Sequence, residues 1–157
     1  LLAKVAEVQI RFLHKLEVTE SEAFLDYNFA PTDLTRNLGI LGLLHKRALG
    51  LCPPSFEQLL PWYSERFDTM RGFGHNKQLY GHWLEATQHR ALWGRSIFKM
   101  VDIYNNLPQW AVDSQSVTVF QKRLIKIARD CCQMHNESWA SSFCCRDGPD
   151  TSLWSET

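Results

Sequence analysis

The segment from Leu34 to Ala48 limits the possible folds more than any other part of this chain, because it is apolar on almost every side of a helix. Its apolar residues recur every three or four positions, which is the period of an α-helix. The main stripe consists of Leu34, Leu38, Leu41, Leu44 and Ala48. A helix that is apolar all round is normally covered by its neighbours. We therefore predict a central helix with its N-cap at Thr32 or Asp33 and its end at Gly50.

Two glycines interrupt this central helix. Gly39 and Gly42 lie three residues apart, and each costs a helix about 1 kcal/mol relative to alanine. Small residues at this spacing let another backbone approach closely. We therefore predict that a second helix packs tightly against this face.

A second apolar stripe runs through the first residues of the chain. It consists of Leu1, Val5, Val8, Phe12 and Leu16, with Lys4, Glu7, Arg11 and Lys15 on another face. Thr19 and Glu22 then match a capping box, in which each side chain satisfies the backbone of the other residue. We predict a first helix to Leu16 and a short second helix that ends before Asn28.

Two further helices are predicted near the end of the chain. An apolar stripe over residues 97–107 ends at Pro108, because the residue before a proline avoids the helical region. Pro108 opens a short turn that reaches Val112. Ser114 or Ser116 then caps a last helix. The stripe of that helix is Val117, Phe120, Leu124, Ile127 and Cys131.

Strand patterns are nearly absent, so the sequence predicts the all-α class. We expect a small irregular helical bundle with a long central loop and a disordered C-terminal tail. The loop covers residues 62–81, with a short helical turn before it at 56–60 and an extended piece near 78–80. We assign residues 1–131 to one helical domain and residues 132–157 to an unstructured tail.

Charge is balanced in total but unevenly distributed along the chain. There are 17 basic and 17 acidic side chains, so net charge gives no reason to expect nucleic acid or acidic lipid. Residues 17–33 hold five acids and no Lys or Arg, whereas residues 90–129 hold seven bases and two acids. The basic run predicts either a solvated face or a face that contacts a nucleic-acid backbone.

The sequence predicts no metal, cofactor or membrane site. Five cysteines are an odd number, which argues against a closed disulfide framework, and the adjacent pairs at 131–132 and 144–145 lack the usual zinc spacing. Histidines spaced seven residues apart, at His75, His82 and His89, are expected at the surface. No apolar run approaches the roughly 18 residues of a membrane span, so we expect an intracellular protein.

Three phrases in a fixed order carry a family resemblance. They are FAPTDLTRNLGILGLLHKRALGLCPPSFEQLLP at residues 29–61, GHNKQL at residues 74–79 and RSIFKMVDIYNNLPQWAVDSQSVTVFQKRLIKI at residues 95–127. In this order they resemble the C-terminal region of LINE-type (non-LTR) retrotransposon reverse transcriptases, in the version found in protist genomes. The best matches are Leu41, Leu43, Leu44, His45, Lys46 and Gly50, then His75, Gln78 and Leu79, then Arg95, Ser96, Phe98, Tyr104, Asn105, Leu107, Pro108, Val117, Phe120 and Leu124. Asn37 departs from the family pattern, which often has a second arginine or an acid there.

The resemblance implies a non-catalytic position. The polymerase site of these enzymes contains two adjacent aspartates, and this chain has no Asp-Asp pair. The implied place is therefore downstream of the catalytic palm, in the helical segment next to the thumb, where helices support template RNA and DNA. Acting as part of such a protein, the chain would be nuclear or cytoplasmic and would have no activity of its own.

The last phrase divides into structural and surface residues. We predict that its structural residues are Tyr104, Asn105, Leu107, Pro108, Phe120 and Leu124. The residues predicted to contact nucleic-acid phosphates are Arg95, Lys122, Arg123, Lys126 and Arg129. A relic fragment without function is one alternative. Another is a co-opted scaffold or protein-interaction subunit, whose partner is either the rest of a parent polyprotein or a host complex.

Overall fold

The structure, a computed structural model, describes residues 2–62, 75–80, 97, 99–136 and 138–143, and side chains from residue 4 onward. Across these ranges the chain is all-α, as predicted, with one isolated bridge between Trp62 and Leu79 in place of a sheet. The helices are α1 (Leu2–Lys15), α2 (Glu20–Tyr27), α3 (Thr32–Ala48), α4 (Pro54–Leu59), α5 (Lys99–Asn105), α6 (Gln109–Val112) and α7 (Val117–Gln133), followed by a 3₁₀ turn (Trp139–Ser141). None of the helices that the structure describes combines the length and apolar character needed to cross a bilayer.

Helix α3 is the centre of the fold, as its apolar circumference predicts. It packs most extensively against α7, and next against α5. Leu34, Leu41 and Leu44 of α3 are completely buried, and so are Phe120 and Leu124 of α7. The inward faces predicted for both helices are therefore confirmed.

The two glycines of α3 have different surroundings. A Cβ atom placed on Gly42 would lie 2.5 Å from Nε2 of Gln121 on α7, whereas a Cβ on Gly39 would meet nothing within 4 Å. The same Gln121 amide donates to the Leu38 carbonyl at 3.2 Å. The predicted close approach of a second helix is confirmed at Gly42 and does not extend to Gly39.

The start of α3 is capped by a residue of another helix. Pro31 is the N-cap and provides no side-chain hydrogen bond, so the prediction of Thr32 or Asp33 was wrong. The buried side chain of Gln9, on α1, takes over this role. Its Oε1 accepts from the Thr32 amide at 2.9 Å, and its Nε2 donates to the Ala30 carbonyl at 2.9 Å.

Two local signals give the structure that the sequence predicts. Thr19 and Glu22 form a complete capping box at the start of α2. The backbone hydrogen bond from Thr19, assisted by its hydroxyl, lowers the pKa of Glu22 from its ordinary value. Gly50 has φ +69° immediately beyond α3, a conformation that glycine adopts without a steric penalty. Both helix boundaries are therefore set by residues within a few positions of them.

The core continues beyond the boundary predicted after residue 131. The Trp139 ring stacks on Phe24 with 5.0 Å between centroids, and Phe143 is fully buried. The Asn37 amide also donates to the Phe143 carbonyl at 3.1 Å. Burial of Trp139 and Phe143 holds this stretch against the core despite its polar composition. The domain therefore reaches at least residue 143. Residues 144–157 of the predicted tail lie outside the described residues.

Substitution of the two glycines by alanine tests the contact between α3 and α7. Gly39→Ala should stabilise the protein by about 1 kcal/mol through helix propensity alone. Gly42→Ala should stabilise the protein by about 1 kcal/mol less than Gly39→Ala does, because Gln121 must move and lose its hydrogen bond. Urea unfolding curves measure both changes.

The Gln121→Ala background provides the control for this pair. Once the Gln121 side chain is gone, Gly42→Ala should recover the gain expected from propensity. Equal stabilisation by the two glycine substitutions in the parent chain would contradict the close contact at Gly42.

Candidate functional site

The three phrases that carry the resemblance meet at one buried polar cluster. His45 comes from the first phrase, His75 and Lys77 from the second, and Tyr104 from the third. His45, His75 and Tyr104 are all buried, and Lys77 is partly buried. We call this group, together with Asn105 and Ser114, the motif network.

His45 uses both of its ring nitrogens. Its Nε2 lies 3.0 Å from the Ser114 carbonyl oxygen and its Nδ1 lies 3.1 Å from the Tyr104 hydroxyl. A carbonyl only accepts, so Nε2 carries the proton and Nδ1 accepts from the hydroxyl. The ring also stacks on Phe120 with 4.1 Å between centroids. One imidazole thus connects α3 with α5, with the turn before α7 and with α7 itself.

Burial dominates the ionisation of the motif network. It lowers the pKa of His45 to about 4, a shift to which the positive charge of Lys77 adds. It also raises the pKa of the Tyr104 phenol above its ordinary value. At neutral pH both side chains are therefore uncharged, which matches their hydrogen-bond roles.

His75 is buried in the motif network, so the prediction of a surface histidine was wrong for this residue. Its Nε2 donates to the Tyr104 carbonyl at 2.8 Å, and its Nδ1 accepts from the Lys77 amide at 3.0 Å. Burial lowers its pKa as well. His82 and His89 lie outside the described residues.

Short polar contacts fix residues 75–80 onto α5 and α6. The Asn105 amide forms two hydrogen bonds with the backbone of Leu79, donating to its carbonyl at 2.8 Å and accepting from its N–H at 2.9 Å. Lys77 Nζ donates to the Val112 carbonyl at 2.7 Å. The second phrase is therefore a loop that the third phrase holds, in part through the Asn105 amide.

The remaining structural residues predicted in the last phrase also lie where expected. Tyr104, Leu107, Phe120 and Leu124 are each no more than 1% exposed. Pro108 is the N-cap of α6, as the predicted turn requires. The side chains of the motif network bond to protein groups, so the arrangement joins helices.

The basic residues predicted to bind nucleic acid divide into two pairs. Lys122 and Lys126 are exposed, four residues apart on α7. Arg123 and Arg129 are only partly exposed, and Arg123 donates to the Trp110 carbonyl. Arg95 lies outside the described residues. Of the described residues in this predicted set, Lys122 and Lys126 are therefore the exposed ones.

Arg129 holds the end of α2. Its Nη2 donates to the Phe24 and Leu25 carbonyls at 3.0 and 2.9 Å and to Asn28 Oδ1 at 2.6 Å. The guanidinium also lies 5.4 Å from the centroid of the Phe24 ring. Cations are favourable at the C-terminus of a helix, where carbonyl groups lack partners. This arginine is therefore committed to the fold.

The apolar stripe at the start of the chain is exposed, although the sequence favours burial of such a stripe in the core. We call Val5, Val8, Phe12 and Leu16 the α1 stripe; these side chains are between 49% and 66% exposed. The neighbouring face, with Gln9 and Leu13, is the buried one. The two hydrogen bonds of Gln9 fix how α1 is rotated, and a search for apolar periodicity gives no weight to such a polar residue.

The α1 stripe has a defined border. The Phe29 ring, 43% exposed, contacts Phe12 edge-on with 6.2 Å between centroids. At 100° per residue, Lys4, Arg11 and Lys15 follow the edge of the stripe that faces away from the buried side, and all three are exposed. The surface is therefore apolar along its middle and basic along its free edge.

Among the described residues, no three His, Cys, Asp or Glu side chains are placed to hold a metal ion together. Cys131 and Cys132 are both buried as free thiols. Burial raises the pKa of Cys131, which disfavours the thiolate that metals and electrophiles require.

Replacement of Asn105 tests the docking of the loop. Asn105→Ala should lower the free energy of unfolding by about 2 kcal/mol or more, because it leaves two backbone groups of the buried Leu79 without partners. Asn106→Ala is the matched control, since its amide donates locally, to the Asp102 carbonyl on α5. In urea unfolding, Asn106→Ala should lower the free energy of unfolding clearly less than Asn105→Ala does. Equal losses of stability in the two variants would contradict the role of Asn105.

Acid should weaken the fold through His45. Its folded-state pKa is about 4, below the ordinary 6.5, so the unfolded chain binds more protons between these values. Stability is then fully present above pH 6.5 and falls by up to about 3 kcal/mol as the pH drops towards 4. His75 acts in the same direction.

Urea midpoints at pH 7 and pH 5 measure this effect. His45→Gln should be less stable at pH 7 but lose less stability between the two values. An NMR titration of the parent imidazole gives the pKa directly. A midpoint difference that is the same in both chains, with a His45 pKa near 6.5, would contradict the assignment.

Comparisons with known proteins give no match from which a function could be inferred. No protein-family model, no curated protein and no solved structure matches this chain. The resemblance to retrotransposon reverse transcriptases therefore stays a prediction, and function is inferred from the surfaces of the described residues.

Proposed function

We propose that this chain is a non-catalytic helical module of the reverse-transcriptase type that its three phrases resemble, and that it works by docking on protein. The α1 stripe is the observation that carries the proposal. Its four large apolar side chains lie in a row and are each about half exposed. Contiguous apolar surface of this kind is typical of a binding site, whereas single exposed apolar residues are ordinary.

The sequence supports the non-catalytic part of the proposal. The chain has no adjacent aspartates, and the resembled enzymes need such a pair for two-metal chemistry. The motif network supports a structural role for the shared phrases, because its side chains bond to backbone groups and to one another. A co-opted scaffold in a host assembly would use the same docking surface.

Support of a nucleic-acid backbone is the second candidate. It is favoured by Lys122 and Lys126, which are exposed on one face of α7. Arg123 and Arg129 add little, because their guanidinium groups donate to carbonyls of the protein. Two lysines would bind phosphates weakly and with a shallow salt dependence.

A peptide-display selection against the folded chain tests the docking function. It should enrich peptides that require the α1 stripe. The double substitution Val8→Ser and Phe12→Ser should weaken their affinity by roughly tenfold or more, because it removes two apolar contacts from the centre of the surface. Fluorescence anisotropy with labelled peptides measures the change.

The double substitution Lys122→Gln and Lys126→Gln is the matched control. It should leave peptide affinity unchanged, and it should reduce the salt slope of any RNA binding by about two. Peptides that bind the stripe variant as tightly as the parent would contradict docking at α1. A selection without enrichment, together with RNA binding that depends on the two lysines, would favour the second candidate.

A further inference from the structure

We propose that the α1 stripe binds one amphipathic helix of another protein, and that carboxylates border the apolar face of that helix. This inference rests on the proposed docking function and adds the chemistry of the partner. Three properties of the described residues support it: the spacing of the stripe, the charge of its edge and the position of the acidic segment after it.

The spacing of the α1 stripe fits a helical partner. Val5, Val8, Phe12 and Leu16 are separated by three, four and four residues, which is the spacing by which two helices share an apolar seam. The stripe rises about 17 Å along the helix axis, or roughly three turns. Phe29 stands beside Phe12 and widens the middle of the surface. A partner helix of about three turns would cover the stripe.

The free edge of the stripe selects acidic residues on the partner. Lys4, Arg11 and Lys15 lie along this edge and are exposed. Glu7 lies further round the helix and approaches Arg11 at 3.8 Å, with both side chains well exposed. A pair so exposed is weak, so Arg11 is available to a carboxylate of a bound helix.

A second copy of this chain fits less well. In an antiparallel pair related by a two-fold axis, like edges of the two α1 helices would lie together. With the stripes centred on each other, Lys4 of one copy would then lie near Lys15 of the other, and the two Arg11 side chains would lie close together. Charges along the edges of a helix pair set its partner and orientation, so charge opposes antiparallel self-association through the stripe.

An anionic membrane also fits less well. Basic amphipathic helices do bind such surfaces. The chain directly after Leu16, however, exposes Glu17, Glu20, Glu22 and Asp26. These carboxylates adjoin one end of the stripe. A bilayer surface would extend over them and its anionic headgroups would repel them, whereas a helix of about three turns ends with the stripe.

Two synthetic helices test the inference. Both contain about three heptads with leucine at the a and d positions; one has glutamate at e and g, and the other has lysine at the same positions. The glutamate peptide should bind the chain roughly tenfold tighter than the lysine peptide at low salt, and added salt should reduce this preference. Fluorescence anisotropy measures both affinities.

Variants of the chain locate the effect. The triple substitution Lys4→Gln, Arg11→Gln and Lys15→Gln should remove the preference for glutamate and leave weaker apolar binding. Val8→Ser with Phe12→Ser should reduce the affinity for both peptides. Every substituted side chain is exposed, and circular dichroism should give unchanged helix content. Lys122→Gln with Lys126→Gln should retain the preference for glutamate.

Four outcomes would overturn the inference. Equal affinity for the two peptides would reject the proposed carboxylates on the partner, but it would not contradict docking at α1. Failure of both peptides to bind would reject a helical partner, and the display selection would then decide the broader function separately. Tighter binding to phosphatidylserine vesicles than to either peptide would identify a membrane surface. A dimer in sedimentation that Phe12→Ser abolishes would identify a second copy as the occupant.

Discussion

The burial of His45 as a neutral imidazole is the interaction on which the rest of this structure depends. One ring bonds to Tyr104 on α5 and to Ser114 before α7, and it stacks on Phe120 within α7. Apolar packing has no direction, whereas a buried polar group is costly unless its partners are in place. His45 therefore fixes how α5, α7 and the turn before α7 lie relative to α3, and the hydrogen bond from His75 to the Tyr104 carbonyl connects this cluster to the loop.

Four cationic side chains of the described residues complete the ends of short helices. The four contacts are Lys77 to the Val112 carbonyl, Arg123 to the Trp110 carbonyl, Arg129 to the Phe24 and Leu25 carbonyls, and Arg47 to the Leu60 carbonyl. In each case the cation reaches a carbonyl in or just after the last turn of a helix, where the helix dipole favours positive charge. This use of charge explains why Arg123 and Arg129 add little to the exposed basic surface of α7.

The features predicted correctly from the sequence are those that neighbouring residues determine. The capping box at Thr19, the end of α3 at Gly50 and the buried stripes of α3 and α7 all follow from neighbours a few residues apart. The motif network was not predicted, because His45 and Ser114 are 69 residues apart in sequence. Likewise, the core beyond residue 131 depends on the stacking of Trp139 on Phe24. The polar composition around Trp139 gives no sign of this contact. The sequence also could not predict that Arg123 and Arg129 donate hydrogen bonds to carbonyl groups elsewhere in the fold.

The amide of Gln9 has a consequence for specificity. Helix α1 carries two adjacent faces that could each pack on the domain, one mixed and one almost wholly apolar. Hydrophobic attraction alone would favour the apolar face, and the helix would then hide the α1 stripe. The paired bonds of Gln9 to Ala30 and Thr32 select the other rotation, much as one buried polar residue sets the register of a coiled coil. A single side chain thus determines which surface this module presents to other molecules.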